Sequence, residues 1–353
     1  MAATGFLQFS PSYAISLGSS GNAAIRRPRQ RAQPVIVKRA PKHDGLTALQ
    51  YRLCMLGNPM TVKIKKSNVS IYSLSGLFAL LTDSQPHNGY VNVYRGHPDK
   101  RYKLWPSLFR KKEHRRVEKN ILRELISIQP KEFRDDKTVF EQLVRMQHYG
   151  LPTRLLDLTY NPLVGLYFSC LKNNNNDEQD EKDGELLRFT VRKSSIKYFD
   201  SDTVSCVANL SSLTGRERDE IRAFSDSKEL NGSDVGMRLL HFIKAEKPYF
   251  LPKIELSDLK SVFAVRPKQT NQRILAQQGG FFIFGLTASL KDLNAFGIKI
   301  DRMVVPASAK QKLLDELDSI NINASTLFPE IESAAKYIMS KIPTTDETDE
   351  KTD

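Results

Sequence analysis

The chain has 353 residues, which is enough for one large domain or two modest ones with a buried core. Hydrophobic residues make up 40% of it and charged residues 26%, as in ordinary globular proteins. No run of about eighteen apolar residues occurs, so we expect a soluble protein without a membrane partner. Its 3 cysteines are widely spaced, which indicates neither a disulfide framework nor a metal cluster and fits a cytoplasmic location.

The formal net charge of +13 favours a polyanionic partner, but the charge is unevenly distributed. Residues 1–43 contain no Asp or Glu, whereas residues 343–353 are acidic. We therefore expect a basic disordered arm at 1–43, a folded domain at 44–342 and an acidic tail at 343–353. The arm has three interpretations: a solvated tail, a contact for nucleic acid, or an organelle transit peptide, since it is rich in Ser and Arg.

The first half of the expected domain alternates between helical and strand patterns. Apolar residues at helical spacing predict helices at 46–55, 71–81, 117–126 and 138–147. An alternating segment predicts a strand at 91–94 that carries Arg95 into the following loop. A short extended segment follows at 155–158, and the capping pair Asn161-Pro162 then opens a helix that continues to Leu171.

The second half contains a polar, Ser-rich region at 195–235, which is interpreted either as a helical insertion or as a loosely ordered excursion. Strand patterns occur at 185–191, 262–265, 281–284 and 298–305. Helical patterns occur at 272–278, 310–317 and 324–339. Because helices and strands alternate irregularly, the sequence predicts an α+β fold with a single mixed domain rather than a doubly wound sheet.

The segment 147–159 gathers more polar groups than a buried core needs. Asp157 stands between apolar neighbours of an extended segment, so its carboxylate should be partly buried and needs a partner, either Arg154 or Arg95. The polar residues around it are Gln147, His148, Thr153 and Thr159. Such a group suits an anionic ligand. The structural alternative makes Asp157 and Arg154 a folding ion pair and His148 a helix cap.

These residues resemble the FRG domain family, which takes its name from a Phe-Arg-Gly triplet. Tyr94-Arg95-Gly96 is similar to that triplet, with Tyr in place of Phe. The run from Gln147 to Pro162 matches, almost without interruption, the family's Gln-His-x-Gly-x-x-Thr-Arg-Leu-Leu-Asp-x-Thr motif and the Asn-Pro after it. Further similar stretches are 104–110, 273–281 and 327–330. The resemblance extends over roughly residues 70–340, with a motif core at about 90–192 and a C-terminal half at about 239–340.

The resemblance implies an ADP-ribosyltransferase-like fold that uses NAD as a substrate and needs no metal. In that pattern Arg95 would bind a ribose or pyrophosphate group, and Thr159 would end the second strand. Gln277 or Gln278 would take the late position at which such enzymes carry Glu or Gln, and Asp157 would supply the negative charge that a glutamine lacks. The implied ligand-binding residues are Gln147, His148, Thr153, Arg154 and Arg110.

The resemblance thus implies an NAD-using effector in phage defence or mobile-element conflict. The alternative is a non-catalytic domain that binds a nucleotide or nucleic acid. A basic stretch at 110–119 is interpreted either as a solvated helix face or as a contact for phosphates. The histidines have no metal-ligand spacing, and the sequence contains no Gly-rich phosphate loop and no nucleophile elbow.

Overall fold

A computed structural model describes residues 69–83, 85–172, 182–286, 296–330, 335 and 337–339. All of them belong to the compact unit that begins at Lys63. The predicted arm at 1–43, the predicted helix at 46–55 and the predicted tail at 343–353 lie outside the described residues.

A mixed sheet of eight strands forms the centre of the described part, in the order β1-β8-β4-β2-β3-β7-β6-β5. The strands are β1 Val69–Ser70, β2 Tyr90–His97, β3 Leu155–Thr159, β4 Gly184–Arg192, β5 Lys197–Tyr198, β6 Val262–Arg266, β7 Gly279–Phe284 and β8 Lys299–Val305. The outer pairs β1–β8 and β5–β6 are parallel, and the pairs between them are antiparallel. The predicted α+β class with one mixed domain is confirmed.

Helices cover both faces of this sheet. In chain order they are α1 Leu74–Thr82, α2 Ser107–Arg110, α3 Lys112–Ile128, α4 Val139–His148, α5 Pro162–Cys170, α6 Asp202–Ala208, α7 Gly215–Ala223, α8 Ser227–Asn231, α9 Asp234–Glu246, α10 Leu256–Leu259, α11 Gln272–Ala276, α12 Lys310–Ser319 and α13 Ala324–Leu327. Among the residues that the structure describes, no helix is long and apolar enough to cross a membrane.

The sheet buries apolar side chains on both faces because successive residues of a strand point in opposite directions. In β3, Leu156 and Leu158 pack in one cluster with Val93 of β2. Leu155, on the other face, packs with Phe140 of α4 in a second cluster. Alternation along β3 therefore decides which residues face which layer, and it places Asp157 on the side of Leu155.

Two local devices fix the elements that carry the motif. Asn161 caps α5, because its Oδ1 accepts a hydrogen bond of 2.9 Å from the backbone N–H of Leu163. Gly96 lets α5 approach β2 closely, since a Cβ at that position would lie 2.1 Å from the backbone oxygen of Gly165. The glycine of the Tyr94-Arg95-Gly96 triplet is thus explained by helix–strand packing.

Two details differ from the predicted elements, and the structure decides one alternative that the sequence left open. Arg95 lies within β2, not in a loop, because β2 pairs with β4 along its whole length. The region 195–235 is the helical insertion of the two alternatives, with α6, α7 and α8. The helix predicted at 324–339 is interrupted: α13 ends at Leu327, since Pro329 disfavours helical backbone at the residue before it, and residues 335 and 337–339 are helical again.

Candidate functional site

A cleft of about 180 Å³ opens where β2, β3 and β7 meet the ends of α4 and α11. Several of the predicted site residues line it, namely Arg95, Gln147, His148, Asp157, Thr159 and Gln277. Phe168 and Phe281 give it apolar walls, and Arg273 adds a second cation. The structure therefore brings together six of the residues that the sequence singled out. The predicted residues that it leaves away from the cleft lining are Arg110, Thr153, Arg154 and Gln278.

The cleft exists because β2 and β3 separate. In the described residues their ladder consists of one pair, Tyr94 with Thr159, whereas β3 pairs with β7 along its whole length. Arg95 spans the resulting gap: its Nη1 donates to the backbone oxygen of Asp157 at 2.8 Å and lies 3.5 Å from Oδ2 of the same residue. The side chain thus replaces a hydrogen bond that the ladder would otherwise supply.

The Asp157 carboxylate is held from two sides and still faces the cleft. Its Oδ1 accepts a 2.8 Å hydrogen bond from Nε2 of Gln147, and Arg95 stands beside Oδ2. Its side chain is 56% exposed, so the expectation of a partly buried carboxylate is wrong. Asp157 interrupts the apolar side of β3 at the point where the cleft opens, and solvent reaches it there. Its partner is Arg95, which decides the alternative that the sequence left open.

Thr153 acts on the cleft through Gln147. It is fully buried, and its hydroxyl donates to Oε1 of the Gln147 amide. The same hydroxyl accepts a 3.2 Å hydrogen bond from the N–H of Leu155. Because Oε1 is occupied in this way, the amide presents its N–H group to Asp157. Thr153 is therefore a positioning residue.

Arg154 belongs to the interior and not to the cleft. Its guanidinium is 1% exposed and forms a two-pronged pair with Glu118 of α3, with distances of 2.8 and 2.7 Å. A further donor reaches the backbone oxygen of Phe284 at 2.8 Å. The structural alternative was thus right that Arg154 forms a folding ion pair, but wrong about the partner. Arg154 directly precedes β3, and its donors are engaged by Glu118 and by backbone oxygens rather than by Asp157.

Thr159 and Gln277 line the cleft with most of their polar groups already engaged. The Thr159 hydroxyl donates to the backbone oxygen of Gln277 at 2.7 Å and accepts from the N–H of Asn161 at 3.0 Å. The Gln277 amide donates to the backbone oxygen of Leu327. Gln278 takes a positive φ of 47° at the turn into β7, where its backbone oxygen accepts from Tyr160. These three residues join α11, α13 and β3.

Arg95 is also the first member of a buried polar chain along β2 that sequence reasoning missed. Its Nε donates to Nε2 of His97 at 3.1 Å, which leaves Nδ1 of the imidazole to donate to Glu185 Oε1 at 3.2 Å. Glu185 in turn accepts from Arg302 at 2.7 and 2.8 Å. Burial lowers the pKa of His97, and the charges of both arginines add to that effect, while the Glu185 carboxylate opposes it. The signal was available, since residues two apart in a strand share a face.

The buried position of Arg95 and the charges near it shift the pKa of its guanidinium. Burial lowers the pKa of its guanidinium, the Asp157 carboxylate opposes this, and the charge of Arg110 lowers it further. Arg110 itself is exposed at the end of α2. The predicted ligand-binding residue Arg110 therefore influences the site only through its charge.

A late carboxylate lies beside the cleft. Arg273 stacks over the ring of Phe328 at 4.7 Å, and its Nη1 lies 3.7 Å from Oε1 of Glu330. Burial and the charge of Arg273 both lower the pKa of His148, whose Nδ1 lies 3.2 Å from the Asn271 amide nitrogen. The sequence contained Arg273 and Glu330 in its C-terminal motif stretches, but gave neither a role. Their separation along the chain concealed that α11 and the end of α13 converge.

Among the described residues, no group of three or more His, Cys, Asp and Glu side chains is arranged to hold a metal ion. Cys170 and Cys206 are buried, and burial raises the pKa of the Cys206 thiol to about 12.

Comparison with known protein families matches the FRG domain at residues 91–178. The chain therefore contains an FRG domain, as the sequence resemblance implied. Comparison with curated proteins and with solved structures finds no match. The matched region supplies Arg95, Gln147, His148 and Asp157, which lie together in the cleft. The similarity at 273–281 and 327–330 lies beyond that region and stays a prediction.

Proposed function

We propose that the cleft binds NAD and cleaves its nicotinamide–ribose bond, transferring ADP-ribose to an acceptor. One observation carries this proposal: the Asp157 carboxylate is exposed to the cleft, yet Gln147 and Arg95 fix its position. An exposed carboxylate normally samples several rotamers, so fixing it with two donors costs conformational entropy. The two donors therefore indicate that the position of this carboxylate matters. A fixed negative charge is what stabilises a developing cation.

The chemistry needs that charge. When the bond between C1′ of the ribose and the nicotinamide nitrogen breaks, its electron pair leaves with nicotinamide and C1′ becomes an oxocarbenium-like centre. The acceptor then forms a bond to C1′ and releases its proton to a carboxylate or to solvent. Asp157 would stabilise the cation electrostatically, and Glu330 offers a second carboxylate beside the cleft.

Cations for the pyrophosphate are available on two sides of the cleft. Arg95 lies at the β2–β3 gap, and Arg273 projects from α11 with its side chain 29% exposed. A guanidinium binds phosphate oxygens through two parallel donors, which suits both residues for this role. Phe168 and Phe281 provide the apolar surface on which an aromatic ring could pack.

The alternative that the sequence left open, nucleotide binding without catalysis, would use the same cleft. It differs in the role of Asp157, which would then only hold Arg95 in place. A part in phage defence or mobile-element conflict also belongs to the proposal, and the FRG resemblance alone supports it.

The test measures NAD binding by calorimetry and nicotinamide release by chromatography, in the wild type and in Asp157→Asn. The amide keeps the shape of the side chain and removes its charge. We expect binding within a few-fold of the wild type and a loss of turnover of about 100-fold or more, as for removal of one electrostatic stabiliser. Asp315→Asn is the matched control, since this exposed carboxylate on α12 also accepts from an amide.

Three results distinguish catalysis in the cleft from binding alone and from neither. Loss of turnover in Asp157→Asn but not in Asp315→Asn supports the transferase proposal. Binding of NAD without turnover in the wild type favours the non-catalytic alternative. If NAD neither binds nor is consumed, the proposal is wrong.

A further inference from the structure

A second cavity, of about 200 Å³, lies where α3 and α7 meet the end of β7. Charged side chains dominate its lining. Six are cationic, namely Lys112, Arg115, Arg116, Arg154, Arg218 and Arg222. Two are acidic, Glu118 and Asp219. The cavity therefore carries a surplus of positive charge that its own carboxylates do not balance.

The imbalance reaches the buried floor of the cavity. Glu118, which is 3% exposed, is the shared carboxylate of two buried guanidiniums. Arg154 pairs with it at 2.7 Å and Arg218 at 3.3 Å. The two guanidiniums also donate to backbone oxygens, and one donor of Arg218 reaches the backbone oxygen of Arg115. These oxygens carry no net charge. A buried cation without an opposing ion costs several kcal/mol in solvation, so the site favours an added anion.

The mouth of the cavity shows the same excess. Lys112, Arg115 and Arg116 all lie in the first turns of α3, where the helix dipole disfavours positive charge. Lys111 provides no side-chain cap for that helix end. The Nε atom of Arg115 is buried and has no hydrogen-bond partner among the described residues. Glu113 is the acidic residue of the first turn, so the three cations still outnumber the carboxylates there, and an anion at the cavity would offset the remaining cost.

We propose that this cavity binds the phosphate or pyrophosphate group of a small phosphorylated ligand, at a site separate from the proposed NAD cleft. Guanidinium groups recognise such oxygens through paired donors. The lining is mostly charged, with a cationic surplus, and contains few apolar side chains, which suits an anionic group better than a complete nucleotide. Phe109 and Leu286 are its apolar lining residues, so a base would find little surface to stack on.

A nucleic-acid backbone fits the geometry less well. Proteins that bind single strands arrange their cations along a groove that tracks many phosphates and interleave aromatic residues for the bases. Here the deepest cations, Arg154 and Arg218, are both buried and share one carboxylate, so they lie together rather than along a groove. Binding of an oligonucleotide is therefore an outcome against the proposal.

The test titrates pyrophosphate into the full chain by calorimetry, with Arg115→Gln and Arg116→Gln as the site variants. We expect the Kd of each to rise about tenfold, which corresponds to about 1.4 kcal/mol, because each variant removes one charge-assisted contact. Arg123→Gln is the matched control, because this exposed arginine lies on the same helix away from the cavity. Melting temperatures without ligand show whether each variant is folded. If Arg115→Gln is destabilised, Arg116→Gln carries the test, since its side chain is exposed.

Arg273→Gln distinguishes this cavity from the cleft. Binding that Arg273→Gln abolishes and Arg116→Gln leaves intact would place the anion in the cleft and overturn the proposal. The same conclusion follows if pyrophosphate does not bind, or if Arg123→Gln weakens it as much as the site variants do. Tighter binding of an oligonucleotide than of pyrophosphate, lost in Arg116→Gln, would replace it with a nucleic-acid contact.

Discussion

The carboxylate of Asp157 is 56% exposed, whereas the guanidinium of Arg154, three residues earlier in the same motif, is 1% exposed. Asp157 is held by long-range donors at the rim of a cleft and keeps part of its hydrogen-bonding capacity for a ligand. Arg154 donates its hydrogen bonds to Glu118 and to backbone oxygens. Their different partners show that one motif serves both the fold and the site.

Removing the buried partner is the strongest way to test the structural side of this comparison. Glu118→Gln keeps the shape of the side chain but leaves the Arg154 and Arg218 guanidiniums facing each other without a counter-charge. We expect the free energy of unfolding to fall by about 3–5 kcal/mol, measured by urea unfolding. Asp219→Asn is the control, because its pair with Arg222 is exposed and should contribute below about 1 kcal/mol. Equal losses in the two variants would contradict the structural role of Arg154.

Thr153→Val tests the link between the two sides. The substitution removes the hydroxyl that orients Gln147 and leaves the Leu155 N–H without its acceptor. We expect a loss of about 1–3 kcal/mol in the free energy of unfolding, together with a fall in kcat for NAD at little changed KM. Ser169→Ala, which removes another fully buried hydroxyl outside the cleft, should leave kcat unchanged. A role in stability alone would leave kcat intact in Thr153→Val as well.

Local signals explain how much of this arrangement the sequence predicted. The start of α4 follows from Thr138 and Glu141, which form a capping box, and the start of α5 from Asn161 and Pro162. Such contacts involve neighbours in sequence and need no knowledge of the tertiary fold. The predicted starts at 138 and 161 thus agree with the structure to within one residue.

Contacts between residues far apart in the sequence could not be predicted in the same way. Asp157 had two candidate arginines, Arg154 and Arg95, and spacing alone did not choose between them. Glu330 was absent from the predicted site because only the tertiary fold brings it to Arg273. The predicted helix at 324–339 concealed this convergence, since a continuous helix would have carried Glu330 elsewhere.

Asp157→Asn should affect stability far less than activity. Its pair with Arg95 is partly exposed at 3.5 Å, so we expect the free energy of unfolding to change by about 1 kcal/mol or less. Urea unfolding measures this in the same preparation as the turnover assay. A loss as large as that of Glu118→Gln would mean that the Asp157 carboxylate stabilises the fold, and would remove the contrast with Arg154.

The smallest expected effect is a dependence of stability on pH that originates behind the cleft. Burial lowers the pKa of His97, so its contribution is fully present above the unfolded value of about 6.5 and is lost as pH falls through the folded value. Protonation would place a cation between Arg95 and Arg302, with Glu185 as the one facing carboxylate. The free energy of unfolding should therefore decrease from pH 8 to pH 5.

His97→Gln separates this contribution from the others. A glutamine can accept from Arg95 and donate to Glu185 without titrating, so the decrease between pH 8 and pH 5 should become smaller than in the wild type. His148→Gln should remove a further share, because burial lowers the pKa of His148 as well. An unchanged pH dependence in His97→Gln would mean that His97 is not the neutral link between Arg95 and Glu185, and that Arg95 is positioned by Asp157 alone.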